Sequence, residues 1–338
     1  MALRVAIIGA GKWSEHHMAG WRAQPDVTVD WVVRSTEEGA REKAQRWGIP
    51  QWSTDYKAVL AREDVDIVDI LLPHDLHAEA TCLAVAHGKH VVLQKPIAPT
   101  LQEARRIADA GRLHNRKIMI AESWIYSTMV QKARAAIAGK QIGEPFLIRS
   151  VMDLEVKDYF AGLHWRFSLA RMGGGALMDS GTHSVSVCRY LMGEVREVTA
   201  LKSCHAFPEI APMEDTFLLL LRFESGSSGL IAVTWVAQRE RPRTEFAILG
   251  TQGTIEFDTH ARQFFITRGQ QRCEQFELQA SRGYAEQLAH FLECLRENRE
   301  PITRLPRRGY GTPGPGQRRG GVGPALGLHR QVWMPCRW

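Results

Sequence analysis

The chain has 338 residues, 44% of them hydrophobic and 24% charged, with a formal net charge of +6. That length favours two domains over a single core, and the composition is that of an ordinary globular protein. No uncharged apolar run approaches the ~18 residues of a membrane span. The positive charge does not argue for a nucleic-acid partner: seven of the 43 basic residues and none of the 37 acidic ones fall in residues 303–338, and the remainder is near neutral.

Met1 to Val5 leads straight into a strand-like run, so no leader peptide is expected. Leu3–Ile8 is that run, and it ends in Gly9-Ala10-Gly11-Lys12-Trp13-Ser14. A strand, then Gly9-x-Gly11-x-x-Ser14, then a helix is the context of a dinucleotide fingerprint. Gly9 allows the tight turn, Gly11 lets a pyrophosphate approach the helix N-terminus, and the small Ser14 replaces the third glycine. The alternative is a purely structural glycine turn. Val27–Val33 predicts a second strand that runs into Arg34-Ser35-Thr36. An NAD enzyme usually places an acid there for the ribose 2′-hydroxyl. A cation and two hydroxyls suit a 2′-phosphate instead, which favours NADP over NAD unless Arg34 stacks on adenine or is simply solvated.

Helical patterns follow at Glu37–Trp47 and Glu79–His87, the latter stopped by Gly88. Val65–Leu72 reads as a buried strand, and His90–Leu93 as another that ends at Gln94-Lys95-Pro96. Lys95 thus falls at the carboxyl end of a parallel strand, where ligands of such sheets bind. The plain alternative is a surface lysine before a helix-initiating proline. Thr100-Leu101-Gln102-Glu103 has the spacing of a capping box and starts a helix running to about His114. Ile118–Ala121 supplies a further strand. Strands alternating with helices predict a doubly wound parallel α/β sheet over residues 1–122.

The pattern then changes. A helix near Met129–Ala138 precedes strand-like runs at 146–153, 196–204, 215–223, 228–238, 244–250, 254–257 and 264–267. Turn signals such as Gly250-Thr251-Gln252-Gly253 separate consecutive runs. Residues 123–302 are therefore expected to form an α+β domain on a large, mostly antiparallel, open sheet. A last helix is predicted from Ser281, with Tyr284, Leu288, Phe291, Leu292 and Leu295 on one face. Residues 303–338 carry eight glycines, five prolines and seven arginines without periodicity. We expect there a disordered extension or, preferably, an out-of-frame translation of GC-rich coding sequence.

Within the second domain, Gly173-Gly174-Gly175-Ala176-Leu177-Met178-Asp179-Ser180-Gly181-Thr182-His183 concentrates chemistry. The glycines allow a sharp turn or a close approach. An acid and an imidazole four residues apart share a face if that segment is helical. A carboxylate beside a histidine tunes a proton-transfer group, although a helix start with a buried histidine explains the same letters. The six cysteines (82, 188, 204, 273, 294 and 336) show no C-x-x-C pair. Reduced thiols in a cytoplasmic protein fit them best. His16-His17 and His183 lack metal-ligand spacing, so no metal is proposed. The tryptophans at 13, 21, 31, 47 and 52 read as packing residues, not as a nucleic-acid stacking platform.

Taken together, the Gly9–Ser14 turn with His17, Leu72-Pro73-His74-Asp75-Leu76-His77, Gly88-Lys89-His90-Val91, Lys95-Pro96, Trp165-Arg166, Gly173–Asp179 and His183 resemble the Gfo/Idh/MocA family of oxidoreductases. The likeness spans about residues 3–302. It implies a Rossmann domain followed by the open-sheet domain, and an NAD(P)-dependent enzyme that transfers a hydride to or from a secondary alcohol of a sugar, cyclitol or aminosugar-like substrate. Lys95, Asp179 and His183 would be catalytic: His183 the acid or base, Asp179 orienting substrate and imidazole, Lys95 polarising the reacting oxygen. Gly9, Gly11, Lys12, Trp13, Arg34, Ser35, Pro73, His77 and Lys95 would bind the cofactor, and Trp165 and Arg166 the substrate. The sheet face implies a homodimer or homotetramer. Two departures stand out: Gln94 replaces the family's glutamate before Lys-Pro, and His74 replaces a common asparagine. Beyond about Pro301 the helix and closing strand of the family are not expected. A glycosidase acting by transient oxidation and a non-catalytic dinucleotide sensor remain the alternatives.

Overall fold

The computed structural model describes residues 2–156, 164–240, 243–259, 261–269, 271–277 and 281–303. Strands β1 (Leu3–Ile8), β2 (Val27–Val33), β3 (Gln51–Ser53), β4 (Ile67–Ile70), β5 (His90–Gln94) and β6 (Ile118–Ala121) form one parallel sheet in the order 3-2-1-4-5-6. Helices α1 (Ser14–Arg22), α2 (Glu37–Trp47), α3 (Tyr56–Leu60), α4 (His77–Ala86) and α5 (Leu101–Leu113) connect them. Strands β1, β4, β5 and β6 are buried on both faces along most of their length, as near-continuous apolar runs demand. Thr100 closes the predicted capping box with Glu103. The short β3 and α3 were not expected, since three half-polar residues and five helical ones carry too little periodicity to read.

The second sheet is built from β7 (Pro145–Asp153), β8 (Val195–Ser203), β9 (Thr216–Phe223), β10 (Ser228–Thr234), β11 (Arg243–Gly250), β12 (Gly253–Asp258), β13 (Gln263–Arg268) and β14 (Gln271–Glu277). The order is β14-β13-β12-β11-β7-β10-β9-β8, and every neighbouring pair is antiparallel except β7 with β10. On β9, Phe217, Leu219, Leu221 and Phe223 face inward, while Leu218 and Leu220 face out. Helices α6 (Thr128–Ala138), α7 (Leu169–Met172) and α8 (Thr182–Met192) cover the inner face with a core that includes Met129, Val187, Trp235 and Phe246. Edge strand β14 escaped the sequence reading because its letters are mainly polar. The predicted run at 228–238 stops at Thr234.

Helix α9 (Tyr284–Arg296) corrects two expectations. It starts at Tyr284 and not at Ser281, because Gly283 sits in the left-handed region (φ 82°) as its N-cap. A side chain at Gly283 would meet the Ser123 carbonyl oxygen at 2.0 Å. Although chain order places α9 with the second domain, it packs on α1, and Leu288, Phe291 and Leu292 share a core with Val5, Ile7 and Trp21 of the first. Gly20 makes that approach possible, since a Cβ there would lie 2.9 Å from Leu288 Cδ1. The chain therefore crosses between the two halves twice, and the crossings touch: Ser281 N donates to Thr128 Oγ1 at 3.2 Å. The last described residue, Thr303, is still attached to the edge of the parallel sheet. Its carbonyl accepts from Ile120 N and its hydroxyl donates to Ile120 O. The tail expectation otherwise concerns residues 304–338, which lie outside the described residues.

Burial pushes five imidazoles, His16, His74, His77, His90 and His290, below the ordinary value of 6.5, His90 to about 4. As pH falls below about 6.5 the unfolded chain takes up protons that these folded-state imidazoles refuse until lower pH. Stability is thus expected to drop between pH 6.5 and about 4, ahead of carboxylate protonation. Thermal denaturation at steps from pH 7.5 to 5 checks this, and a flat melting temperature would contradict it.

Candidate active site

In a parallel sheet all strands end at one edge, so the loops after β1, β2, β4, β5 and β6 gather there. Those loops carry Gly9–Trp13, Arg34–Ser35, Pro73, Lys95 and Glu122 respectively. Gly9 has φ 94°, and a Cβ on it would lie 2.8 Å from the Leu71 backbone. Gly11 differs: a Cβ there would meet nothing within 4 Å. The space before α1 is open to an anionic ligand, while Ser14 is wholly buried and donates to Gly11 O at 2.5 Å. Lys12 is exposed and Trp13 half-buried at that opening. Arg34 donates to Gly39 O at 3.4 Å, and Ser35 is exposed beside it. Pro73 caps the short turn His74–Leu76. These residues have the chemistry to hold a dinucleotide: an unobstructed helix N-terminus for phosphate, and a cation with a hydroxyl after β2.

His77 departs from the cofactor-binding expectation. Its ring is fully buried between the carbonyls of Pro96 and Leu72, each at 2.9 Å, and it ties two loops together without facing the opening. His17 likewise belongs to the core. Its Nδ1 meets Asp69 at 2.8 Å, and Trp21 Nε1 donates to the same carboxylate at 2.7 Å. Gln94, where the family carries a carboxylate, accepts from the Lys95 backbone N–H at 2.8 Å through Oε1.

The Lys95 ammonium reaches across to the second domain, donating to Asp179 O at 2.6 Å and lying 3.5 Å from Asp179 Oδ1. Lys95 thus has a carboxylate partner on the second domain although position 94 carries an amide. Arg166 Nη1 donates to the same Oδ1 at 2.6 Å. Burial opposes ionisation of Asp179, but the charges of Arg166 and Lys95 outweigh it and hold the carboxyl well below the usual range. Trp165 and Arg166, the expected substrate residues, lie beside this cluster. Arg166 is only 6% exposed and faces Asp179, and Trp165 packs edge-on against the buried His74 at 5.0 Å.

The glycine run explains this placement. A Cβ on Gly173 would lie 2.5 Å from Pro99 O, and one on Gly175 would lie 1.9 Å from Glu214 O. The segment is therefore wedged between the loop after Lys95-Pro96 and the start of β9. It continues as a π-helical turn, Leu177–Gly181, before α8. No described bond joins Asp179 to His183, so the orienting role expected of Asp179 falls elsewhere. His183 Nδ1 meets Glu122 instead, at 2.7 and 2.9 Å from its two carboxylate oxygens. Trp124 stacks on the imidazole at 4.6 Å with an interplanar angle of 8°. The sequence reading missed Glu122, although its position directly after β6 matches that of Lys95 after β5.

Lys95, Asp179 and His183 line one cleft of about 410 Å³, which also includes Trp13, Trp124 and Tyr284. Among the described residues no cluster of histidine, cysteine or acidic side chains has the makings of a metal site. No helix among them is long and apolar enough to cross a membrane.

Comparison with known proteins matches residues 3–122 to a family described as "Oxidoreductase family, NAD-binding Rossmann fold" and residues 130–256 to one described as "GFO/IDH/MocA C-terminal domain". Levoglucosan dehydrogenase of Pseudarthrobacter phenanthrenivorans is 29% identical over 294 residues, covering 77% of this chain and 74% of the relative. The scyllo-inositol 2-dehydrogenase (NAD(+)) of Bacillus subtilis is 23% identical and covers 89% and 88% of the two chains. Among solved structures, a levoglucosan dehydrogenase in complex with NADH superposes with a TM-score of 0.82 at 24% identity, over 90% of this chain and 92% of that one. The same fold recurs, with a TM-score of 0.82 at 22% identity over 90% and 91%, in an oxidoreductase from Agrobacterium radiobacter in complex with NAD+, L-tartaric acid and magnesium.

Proposed function

The chain belongs to the Gfo/Idh/MocA oxidoreductase family, and from that premise we propose that it is a cytoplasmic NAD(P)-dependent dehydrogenase or reductase for a secondary alcohol of a sugar, cyclitol or aminosugar-like substrate. One observation carries this: Lys95, Asp179 and His183 meet in a single cleft beside the open N-terminus of α1. Sensing a dinucleotide without chemistry requires none of the three.

Gly9, Gly11, Lys12, Trp13, Arg34, Ser35, Pro73 and Lys95 would hold a nicotinamide dinucleotide, which supplies the hydride acceptor or donor. The remaining work falls to side chains. A carboxylate only accepts hydrogen bonds, so the Glu122 contact places the imidazole proton on Nδ1 and leaves Nε2 free to take the substrate hydroxyl proton. Lys95 stabilises the negative charge that develops on that oxygen. Asp179, kept ionised by Arg166 and Lys95, accepts a hydrogen bond from a substrate hydroxyl. With no acid after β2 and with Arg34 and Ser35 in its place, we assign NADP ahead of NAD.

A panel of sugars and cyclitols with NAD+ and NADP+, followed by absorbance of the reduced nicotinamide, tests the proposal. Net cofactor reduction supports it. Glycoside cleavage without net reduction would select the glycosidase alternative, and tight dinucleotide binding with no turnover the sensor.

The outer face of the second sheet supports self-association. Leu201, Leu218 and Leu220 are 54%, 41% and 59% exposed, and Leu201 lies opposite Leu218 in the β8–β9 ladder. We assign this face to a homodimer or homotetramer interface. Leu220→Asp is expected to yield monomers in light scattering, where an unchanged mass would move the interface elsewhere.

A further inference from the structure

We propose that Glu122 is the positioning residue for His183, and that turnover depends on its carboxylate holding the imidazole in one orientation with the proton on Nδ1. The proposal rests on the hydride-transfer reading above and deepens it by making turnover depend on the group that holds its acid–base imidazole. Glu122 is 3% exposed. Both of its oxygens lie within hydrogen-bond distance of His183 Nδ1, and Oε1 also accepts from Trp124 N at 3.3 Å. The peptide and the indole ring of Trp124 thus act together. The backbone steadies the carboxylate, and the indole lies flat on the imidazole and limits its rotation.

Two charge clusters result, and they are distinct. Asp179 is engaged by Arg166 and Lys95, so its negative charge is already matched by two cations. The imidazole is engaged by Glu122 alone among the carboxylates bonded to it. Other charged groups around the cleft are Glu155 at the end of β7, Arg262 before β13 and Arg282 before α9. None of them has a described bond to His183. A buried carboxylate in direct contact can only accept, so it keeps the imidazole proton on Nδ1 and leaves Nε2 as the acceptor.

The competing account is structural: Glu122 does no more than cap the turn Ser123–Tyr126. Glu122→Gln separates the two, because the amide oxygen still caps the turn while the charge is gone. Two readouts apply to the full-length chain. The first is the tautomer of the neutral His183 ring by imidazole nitrogen NMR, assigned by the signal lost in His183→Asn. The wild type and Glu122→Asp, whose carboxylates only accept, are expected to show the proton on Nδ1, and Glu122→Gln, whose amide also donates, to show both tautomers. The second is the split between kcat and KM in alcohol oxidation. In Glu122→Gln kcat is expected to fall by about 10- to 100-fold with KM little changed.

An unchanged tautomer in Glu122→Gln overturns the proposal, as does an unchanged kcat. If the wild type reduces neither cofactor with any polyol, the functional reading fails. The NMR tautomer then still decides the role of Glu122.

Discussion

His183→Ala is expected to lower kcat/KM for polyol oxidation by about 10²- to 10⁴-fold, the usual weight of a positioned acid–base group. The imidazole bonds Glu122, stacks on Trp124 and lines the cleft. Its removal takes away the proton acceptor without touching Gly9–Trp13 or Arg34. Binding of reduced dinucleotide, followed by fluorescence titration, should therefore survive. Full turnover in the variant would remove His183 from the chemistry, and lost dinucleotide binding would point to a disturbed fold.

Asp179→Asn is expected to damage both stability and activity. Arg166 is 6% exposed, and its guanidinium loses the carboxylate that it shares with Lys95. Breaking a buried ion pair from one side costs about 3–5 kcal/mol. A second change separates the effects. Adding Arg166→Met removes the stranded charge, so the double variant should recover much of the melting temperature. It should not recover turnover, because the acceptor for the substrate hydroxyl is gone. If the single variant melts like the wild type, the ion pair carries no weight in the fold.

Much of the architecture was legible because burial on both faces leaves a plain signature. Leu3–Ile8 and Ile118–Ala121 were readable to the residue as apolar runs, and Thr100 with Glu103 marked the start of α5. The second domain's sheet followed from alternation, as in β9. What escaped is governed by distance in sequence. Nothing near α9 shows that Leu288 and Phe291 fill a core begun at Val5. The close approach of Gly175 to Glu214 is equally invisible in local letters.

The site divides the same way. Lys95, Asp179 and His183 were found through resemblance and their places in the chain, and all three line the cleft. Their pairing was misread because helical spacing suggested an Asp179–His183 couple. Two side chains can share a face without bonding when each has a stronger partner elsewhere. The true partners, Arg166 for one and Glu122 for the other, lie on different elements. Glu122 was within reach of the strand-end argument that singled out Lys95, had it been applied to β6.

The double crossing between the halves has a mechanical consequence. Among the described residues, covalent continuity is confined to two touching segments near Thr128 and Ser281. Both charge pairs of the site, Lys95 with Asp179 and Glu122 with His183, bridge the same seam. Any rotation that widens the mouth for substrate or product must stretch those pairs, so the angle between the domains and the field at the reacting oxygen change as one coordinate. A partly opened molecule is thereby an electrostatically detuned one.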